Sequence, residues 1–453
     1  MTAVGSQSAR SPGAARTRGP NEILARGVKP AVTADTCARL VALPRPRAPE
    51  SRTRSRVLLT DAQDRSSLAA CRSLRRAGYG VDAVASSRPA AAHWSRSCDR
   101  RLVAGDPRED EARFVEELRD IARAASYQLL VTGSDASLLA VSRHRERLEG
   151  LIELGLPPAQ VVERCVSKRA LGDAAIEAGF AAPETEVCAD EAEARAVARR
   201  FGYPVVLKPP STVRTVNGGS VQRPSMVVQG DAALEALWPE YGAHSLVQRC
   251  LGGDVVSFSG VAADGRLLAY GMSRYGRTWP PEGGAVSFAE TISPPAGLEQ
   301  RVENLIGVLG WKGVFELELV QSGTRFAAID FNPRLFGSLE LITRAGAPLS
   351  TAWCDWVLGF ESVASEARAG YRYRWEDAEA RNLWRRLQEG RLRSALSMLR
   401  PRRRMTRSFF RPTDPGPLAA RLLLLLTHLF RRSHSRFAPI ALDGRLKEAR
   451  NGP

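Results

Sequence analysis

The sequence is short of the patterns that would settle its class at a glance. Its seven cysteines, Cys37, Cys71, Cys98, Cys165, Cys188, Cys250 and Cys354, stand singly, with no C-x-x-C pair. An odd, scattered set argues against a disulfide framework and a zinc site, and fits a reducing, cytoplasmic compartment. The five histidines include no H-E-x-x-H, which removes the helical metallohydrolase pattern. No apolar run approaches the roughly 20 residues that span a bilayer. The longest candidate, "LAARLLLLLTHLF" at residues 418–430, is interrupted by Arg421 and His428. No G-x-G-x-x-G follows the first strand-like segment, so a dinucleotide site of Rossmann type is not expected.

Charge of one sign is also missing from the body of the chain, although the net charge is +16 over 453 residues. Residues 1–56 carry +8, residues 371–411 carry +9 and residues 412–453 carry +4, which leaves residues 57–370 at −5. Basicity confined to the ends, with few interleaved aromatics, is no signature of a specific nucleic-acid binder. Residues 1–56, rich in Arg, Ala, Pro and Ser, read as a disordered basic tail.

What is present begins with βα alternation over residues 57–160. "RVLLTDA" is a short apolar strand, "SLAACRSLRRAG" has helical spacing, "YGVDAVAS" is a second strand and "EDEARFVEELRDIARAA" is an amphipathic helix. A small parallel sheet with flanking helices is the expected fold there. From Ser167 the pattern becomes α+β: "YPVVLKPP" reads as a strand ending at Lys208, and residues 245–345 read mostly as strands joined by Asp264-Gly265 and Ser322-Gly323 turns.

Two of those strands carry chemistry. In "GVFELELV", Glu316 and Glu318 share one face; in "RFAAIDFNP", Asp330 and Asn332 share one face too. Paired antiparallel, they set Glu318, Asp330 and Asn332 around one point, a hard-oxygen set suited to Mg²⁺ or Mn²⁺. Lys208 suits a phosphate contact better than a core position, and "VNGGS" at residues 216–220 offers free backbone amides to an anion. "SRYGRTWPPEGGAVS" adds Arg277 as a candidate carboxylate or phosphate clamp.

In the order helix with Lys168, strand with Lys208, Gly loop, strand with Gln248, paired carboxylates and Asn-Pro-Arg, the chain resembles the ATP-grasp superfamily, particularly its carbamoyl-phosphate-synthase-like carboxylate–amine ligases. The resemblance implies a Rossmann-like pre-ATP-grasp domain over 57–160 and a two-lobed ATP-grasp domain over 161–365, with a small lobe at about 180–245 and a large lobe at about 246–365. A basic helical extension over 366–453 follows. It implies that Lys168 and Lys208 meet the ATP phosphates, that Gly218, Gly219 and Ser220 form the phosphate flap, and that Gln248 and Cys250 lie at the adenine hinge. Glu318, Asp330 and Asn332 become the metal ligands, and Arg334 lies beside the transferred phosphoryl group. Arg249 stands where the family usually has glutamate, so Asp254 is the substitute for the ribose contact. The implied activity is activation of a small-molecule carboxylate as an acyl phosphate and its transfer to an amine, in a monomer or a homodimer. A non-catalytic ATP-binding module is the alternative.

The C-terminal stretch offers Leu418, Leu422, Leu425 and Leu429 at helical spacing. This stripe either docks on the catalytic body or makes peripheral contact with an anionic membrane, where "RPRRRMTRSFFR", with Phe409 and Phe410 exposed, would assist.

Overall fold

The computed structural model describes residues 51–209, 213–216, 219–222, 225–281, 283–362 and 364–436. Most of the 1–56 tail, Gly218 and residues 437–453 lie outside them.

The first apolar segments form a parallel sheet. Strands Arg56–Leu59, Gly80–Ala85, Arg100–Val103 and Leu129–Val131 run parallel, with the first strand between the second and the fourth and the third at the edge. Val57, Leu58 and Leu59 are at most 1% exposed, as befits a strand covered on both faces. Ser134 caps helix Asp135–Arg143 by accepting from the Ser137 amide, and Asp110 caps Glu111–Ala124 in the same way. The loops after the two edge strands, Arg100–Val103 and Leu129–Val131, therefore lead into capped helix starts.

A second, antiparallel sheet joins Thr185–Cys188, Ser245–Arg249, Val205–Lys208 and Met226–Val228, in that spatial order. Helices Glu191–Phe201 and Asp231–Tyr241 bury Val197, Phe201, Leu234 and Trp238 with Val205 and Leu207. Strands Val213–Val216 and Gly219–Gln222 make a separate hairpin, so Gly219 and Ser220 occupy a strand.

The largest sheet has eight strands. Its path runs Arg325–Asn332, Gly313–Ser322, Asp254–Ala263, Arg266–Trp279, Ala285–Ile292, Arg372–Arg374 and Met405–Arg407, with Ser365–Glu366 paired to the fourth. Helix Leu298–Leu309 covers one face through Leu298, Val302, Leu305 and Ile306, and helices Leu339–Ala345 and Leu349–Leu358 contribute Ile342, Trp353 and Cys354 to a second core.

Two expectations change here. The extension after residue 366 is not simply helical, because Arg372–Arg374 and Met405–Arg407 complete the large sheet. Nor is Phe409 exposed: it is buried against Ala62, Leu68 and Ala92. Alternation in "RYR" and "MTR" is too short to read as strand, and only long-range pairing reveals it. The terminal helix Gly416–Arg436 docks through Leu418 and the buried Ala420, whereas Leu422, Leu423 and Leu426 remain exposed. Among the described residues no helix is long and apolar enough to cross a membrane.

Candidate functional site

Strands Gly313–Ser322 and Arg325–Asn332 pair with Glu316 opposite Asn332 and Glu318 opposite Asp330. Beyond Glu318 the register shifts, since Leu319 faces Ala328 and Ile329 is the extra residue. Such a bulge releases one residue from the ladder. Lys208 uses it, its Nζ donating to the Ile329 carbonyl at 2.7 Å.

Around this point lies a cavity of about 620 Å³ whose lining includes Lys168, Lys208, Gln248, Cys250, Glu316, Glu318, Asp330, Asn332 and Arg334. Lys168, first residue of helix Lys168–Glu177, forms an ion pair with Asp330. Tyr275 reaches Glu316 at 3.1 Å and Glu318 at 3.2 Å. A phenol has one proton, so it cannot donate fully to both carboxylates. Asn332 donates to Glu316 Oε2 at 3.3 Å and accepts from Arg334 at 3.1 Å. Arg334 is held in turn by Asp135, 2.8 Å away at the start of a helix of the parallel-sheet region.

The carboxyls are in excess of the room available to them. Burial, then the neighbouring Glu316 and Asp330, pushes Glu318 up to about 8. Burial raises Glu316 as well, against the pull of Arg334. For Asp330, burial is outweighed by Lys168 and Lys208, which hold it below the usual carboxylate range. Burial, and then Lys168, brings Lys208 down to about 8.

Among the described residues no three acidic, histidine or cysteine side chains converge closely enough to hold a metal by themselves. Glu318 and Asp330 with the Asn332 amide oxygen are a partial oxygen set that a nucleotide's phosphates and water would complete, which is how Mg²⁺ is commonly bound. The raised Glu318 carboxyl fits this reading, because an added cation would relieve the repulsion that raises it.

Not every candidate reaches the cavity. Arg277 is bound by Glu379 at 2.5 Å and lies over the Phe288 ring, in a separate groove. Asp254 lines that groove too and faces Arg274 at 3.3 Å. Neither is therefore free for the role expected of it. Arg249 turns to Glu184 and the Phe201 ring. Gln248 lines the cavity and donates to Thr185 at 2.9 Å.

The structure adds Glu316, Tyr275, Arg65 and Arg108 to the lining. Glu316 was visible in the Glu-x-Glu spacing, but Arg65, the first residue of helix Arg65–Arg76, and Arg108, in a turn, are distant in sequence and leave no local signal. Arg65 donates to the Gly337 carbonyl at 3.1 Å and stacks 3.6 Å above Trp375. A Cβ at Gly337 would meet that guanidinium, so a larger residue there would require Arg65 to move. Tyr373 of the C-terminal segment donates to the same carbonyl at 2.8 Å.

Arg65, Arg334 and Gly337 also line a second hollow of about 270 Å³, with Asp64, Ser134, Asp135 and Trp375. Burial and the nearby Asp61 raise Asp64 to about 7.

Comparison with solved structures shows the fold. N5-carboxyaminoimidazole synthetase from Staphylococcus aureus, complexed with ADP, superposes with a TM-score of 0.54 at 12% identity, covering 71% of this chain and 81% of that one. L-amino acid ligase from Bacillus licheniformis gives 0.53 at 15%, covering 67% and 74%. The biotin carboxylase domain of Hydrogenobacter thermophilus 2-oxoglutarate carboxylase gives 0.53 at 15%, covering 70% and 73%. The fold is that of the ATP-grasp enzymes, in which these three are ligases and carboxylases. In sequence the chain is similar to the carbamoyl phosphate synthase large chain of Rubrobacter xylanophilus, 28% identical over 228 residues, or 47% of this chain. The chain spans only 21% of that relative's length. No protein-family model matches the sequence.

Proposed function

We propose that the protein is an ATP-dependent ligase that activates a carboxylate as an acyl phosphate and passes it to an amine, releasing ADP and phosphate. The observation that supports this best is the cavity in which Lys168, Lys208 and Arg334 face Glu316, Glu318 and Asp330 at the junction of two sheets.

In this reading Lys168 and Lys208 take the ATP phosphates, and the Gly219–Gln222 strand belongs to the covering flap. Glu318, Asp330 and Asn332 hold Mg²⁺, which supplies charge neutralisation at the phosphates when bound. Phosphoryl transfer is largely a matter of alignment and charge, so the rigid strand pair is the main catalytic asset. Arg334, fixed by Asp135, presents its guanidinium to the transferred group. The substrate carboxylate oxygen attacks the γ-phosphorus and the bond to ADP breaks. The amine then attacks the acyl carbon, phosphate leaves, and the amine gives up a proton. The hollow beyond Arg65 and Arg334 is our choice for the acceptor, with Asp64 and Asp135 beside its amine.

The test is ADP release in the presence of candidate carboxylates, with hydroxylamine as a general acceptor and hydroxamate as the product. Carboxylate-dependent ADP and hydroxamate are expected. ATP binding without turnover for any carboxylate would favour a non-catalytic ATP-binding module.

A further inference from the structure

The helices Glu376–Gln388 and Leu392–Leu399 form a hairpin through Glu389, Gly390 and Arg391 and pack on one another. Charge in this hairpin is sorted by direction. Glu376 accepts from the amides of Ser408, Phe409 and Phe410. Asp377 pairs with Arg421, and Glu379 holds Arg277 and Ser287. Asp377 and Glu379 are buried, so the acids of the first helix point inward. Glu389 is the one exposed carboxylate of the hairpin, and it is tied to Arg385 and Arg391. Arg381, Arg391, Arg393 and Arg400 face outward, all of them exposed.

The same outward surface carries large apolar side chains. Leu392, Leu396 and Leu399 are 60%, 64% and 58% exposed, and Trp384 of the neighbouring helix is 64% exposed. Their spacing of four and three residues makes one stripe along the second helix. Ala395 and Met398 do the inward packing, so the three leucines are not needed to hold the hairpin in place. Scattered exposed leucines need no explanation, but an aligned stripe of three on one helix does.

Charge decides what the stripe fits. A second copy offering the same face would set arginine against arginine. A surface both apolar and anionic satisfies both halves of the pattern, with leucines and Trp384 entering its boundary and arginines at its charged groups. We propose that this hairpin is a docking surface for an anionic lipid bilayer, lying in the interface rather than crossing it. The inference is independent of the ligase reading, since none of these side chains lines the cavity. It also assigns the contact to this hairpin rather than to the terminal helix, whose Leu418 is engaged with the protein body.

The experiment is sedimentation of the full chain with phosphatidylcholine vesicles, with and without phosphatidylglycerol, at low and high salt. Binding is expected only with the anionic lipid and should weaken with salt. The double variant Leu396→Glu/Leu399→Glu should lower partitioning by at least about tenfold, and Arg393→Glu/Arg400→Glu by a similar factor. All four positions are exposed, so unchanged melting temperatures confirm folding. Deleting residues 437–453 should leave binding intact. The proposal is overturned if the full chain never sediments with anionic vesicles, if neutral vesicles bind as well, or if the leucine variants bind normally. Light scattering that shows a dimer dissolved by Leu396→Glu would give the face to a second copy instead. Leu396-dependent binding to an acidic polypeptide, without vesicle binding, would give it to a protein partner.

Discussion

Two groups of carboxylates in this molecule are used in opposite ways. Glu376, Asp377 and Glu379 of the C-terminal segment are each saturated, by three backbone amides, by Arg421, and by Arg277 with Ser287. In the cavity Glu316 accepts from Tyr275, Asn332 and Ser338, all uncharged donors, Glu318 shares that one Tyr275 hydroxyl, and Asp330 has Lys168 as its ion-pair partner. Saturated carboxylates tie elements together, and removing one strands its partner. Crowded, under-compensated carboxylates carry a standing cost that a fold tolerates where a cation or a reaction supplies the missing charge. The difference teaches that burial alone does not mark the site; incomplete neutralisation does.

The comparison can be broken most sharply at Glu318. Since burial and like charges hold its carboxyl up at about 8, Glu318→Gln removes repulsion. Turnover should fall by roughly 10²- to 10³-fold, while the melting temperature stays level or rises. A destabilised variant with near-normal turnover would place Glu318 with the structural group.

Glu379→Ala should behave in the reverse manner. It leaves Arg277, 15% exposed at its side chain, without a partner, at a cost of about 3–5 kcal/mol. Denaturant unfolding measures this loss, and the protein that remains folded should turn over normally. A catalytic loss without a stability loss would restore Arg277 as a substrate clamp.

Lys208 offers a finer test. Its ammonium gives up one carbonyl contact, to Ile329, so Lys208→Met should alter stability little. ATP affinity should drop by about tenfold or more, the worth of a charge-assisted hydrogen bond. Calorimetric titration with ATP reads this directly, and unchanged affinity would make Lys208 a strand-end support.

The smallest effect is expected at Asp64, which sits between the two groups. Its folded-state pKa, about 7, lies above the ordinary 3.8. Ionisation therefore costs folded-state stability as pH rises through that interval, and the cost is fully present above it. Asp64→Asn should gain about 1–2 kcal/mol at pH 8, less than the whole shift because solvent screens a half-buried carboxyl. The gain should vanish below about pH 4, where Asp64 is protonated in both states. Melting curves at the two pH values decide it; an equal gain at both would assign the effect to packing.

Much of the cavity was legible because it is built from two strands adjacent in sequence. Period-two alternation placed Glu316 with Glu318 and Asp330 with Asn332, but the register set by the two-residue turn alone would pair Glu318 with Ile329, and the bulge that brings the two faces together has no local signal. The parallel sheet was legible for a similar reason at Arg56–Leu59, Gly80–Ala85 and Leu129–Val131, which are largely apolar runs, but not at Arg100–Val103, which is mostly exposed and begins with two arginines. Contacts between distant segments were not. Nothing local in "RTWPPE" announces that Glu379, 102 positions later, will take the Arg277 guanidinium. Likewise Arg65 and Asp135 are the first residues of their helices, and the local sequences describe only those helix starts.

The extra residue at Ile329 has a consequence for how this strand can change. Phe326 and Ala328 before it and Phe331 after it all lie in one core, which a strictly alternating strand could not achieve. The bulge acts as a frame shift in three dimensions: even positions face inward upstream and odd positions downstream. Asp330 and Asn332 therefore open toward the cavity only because one residue is spent without a partner. A point substitution at 329 keeps that reading frame. Pairing Ile329 into the ladder would exchange the two faces, sending the carboxylate into the core and Phe331 into the cavity, whereas deleting the residue would keep the faces and remove the carbonyl that Lys208 binds.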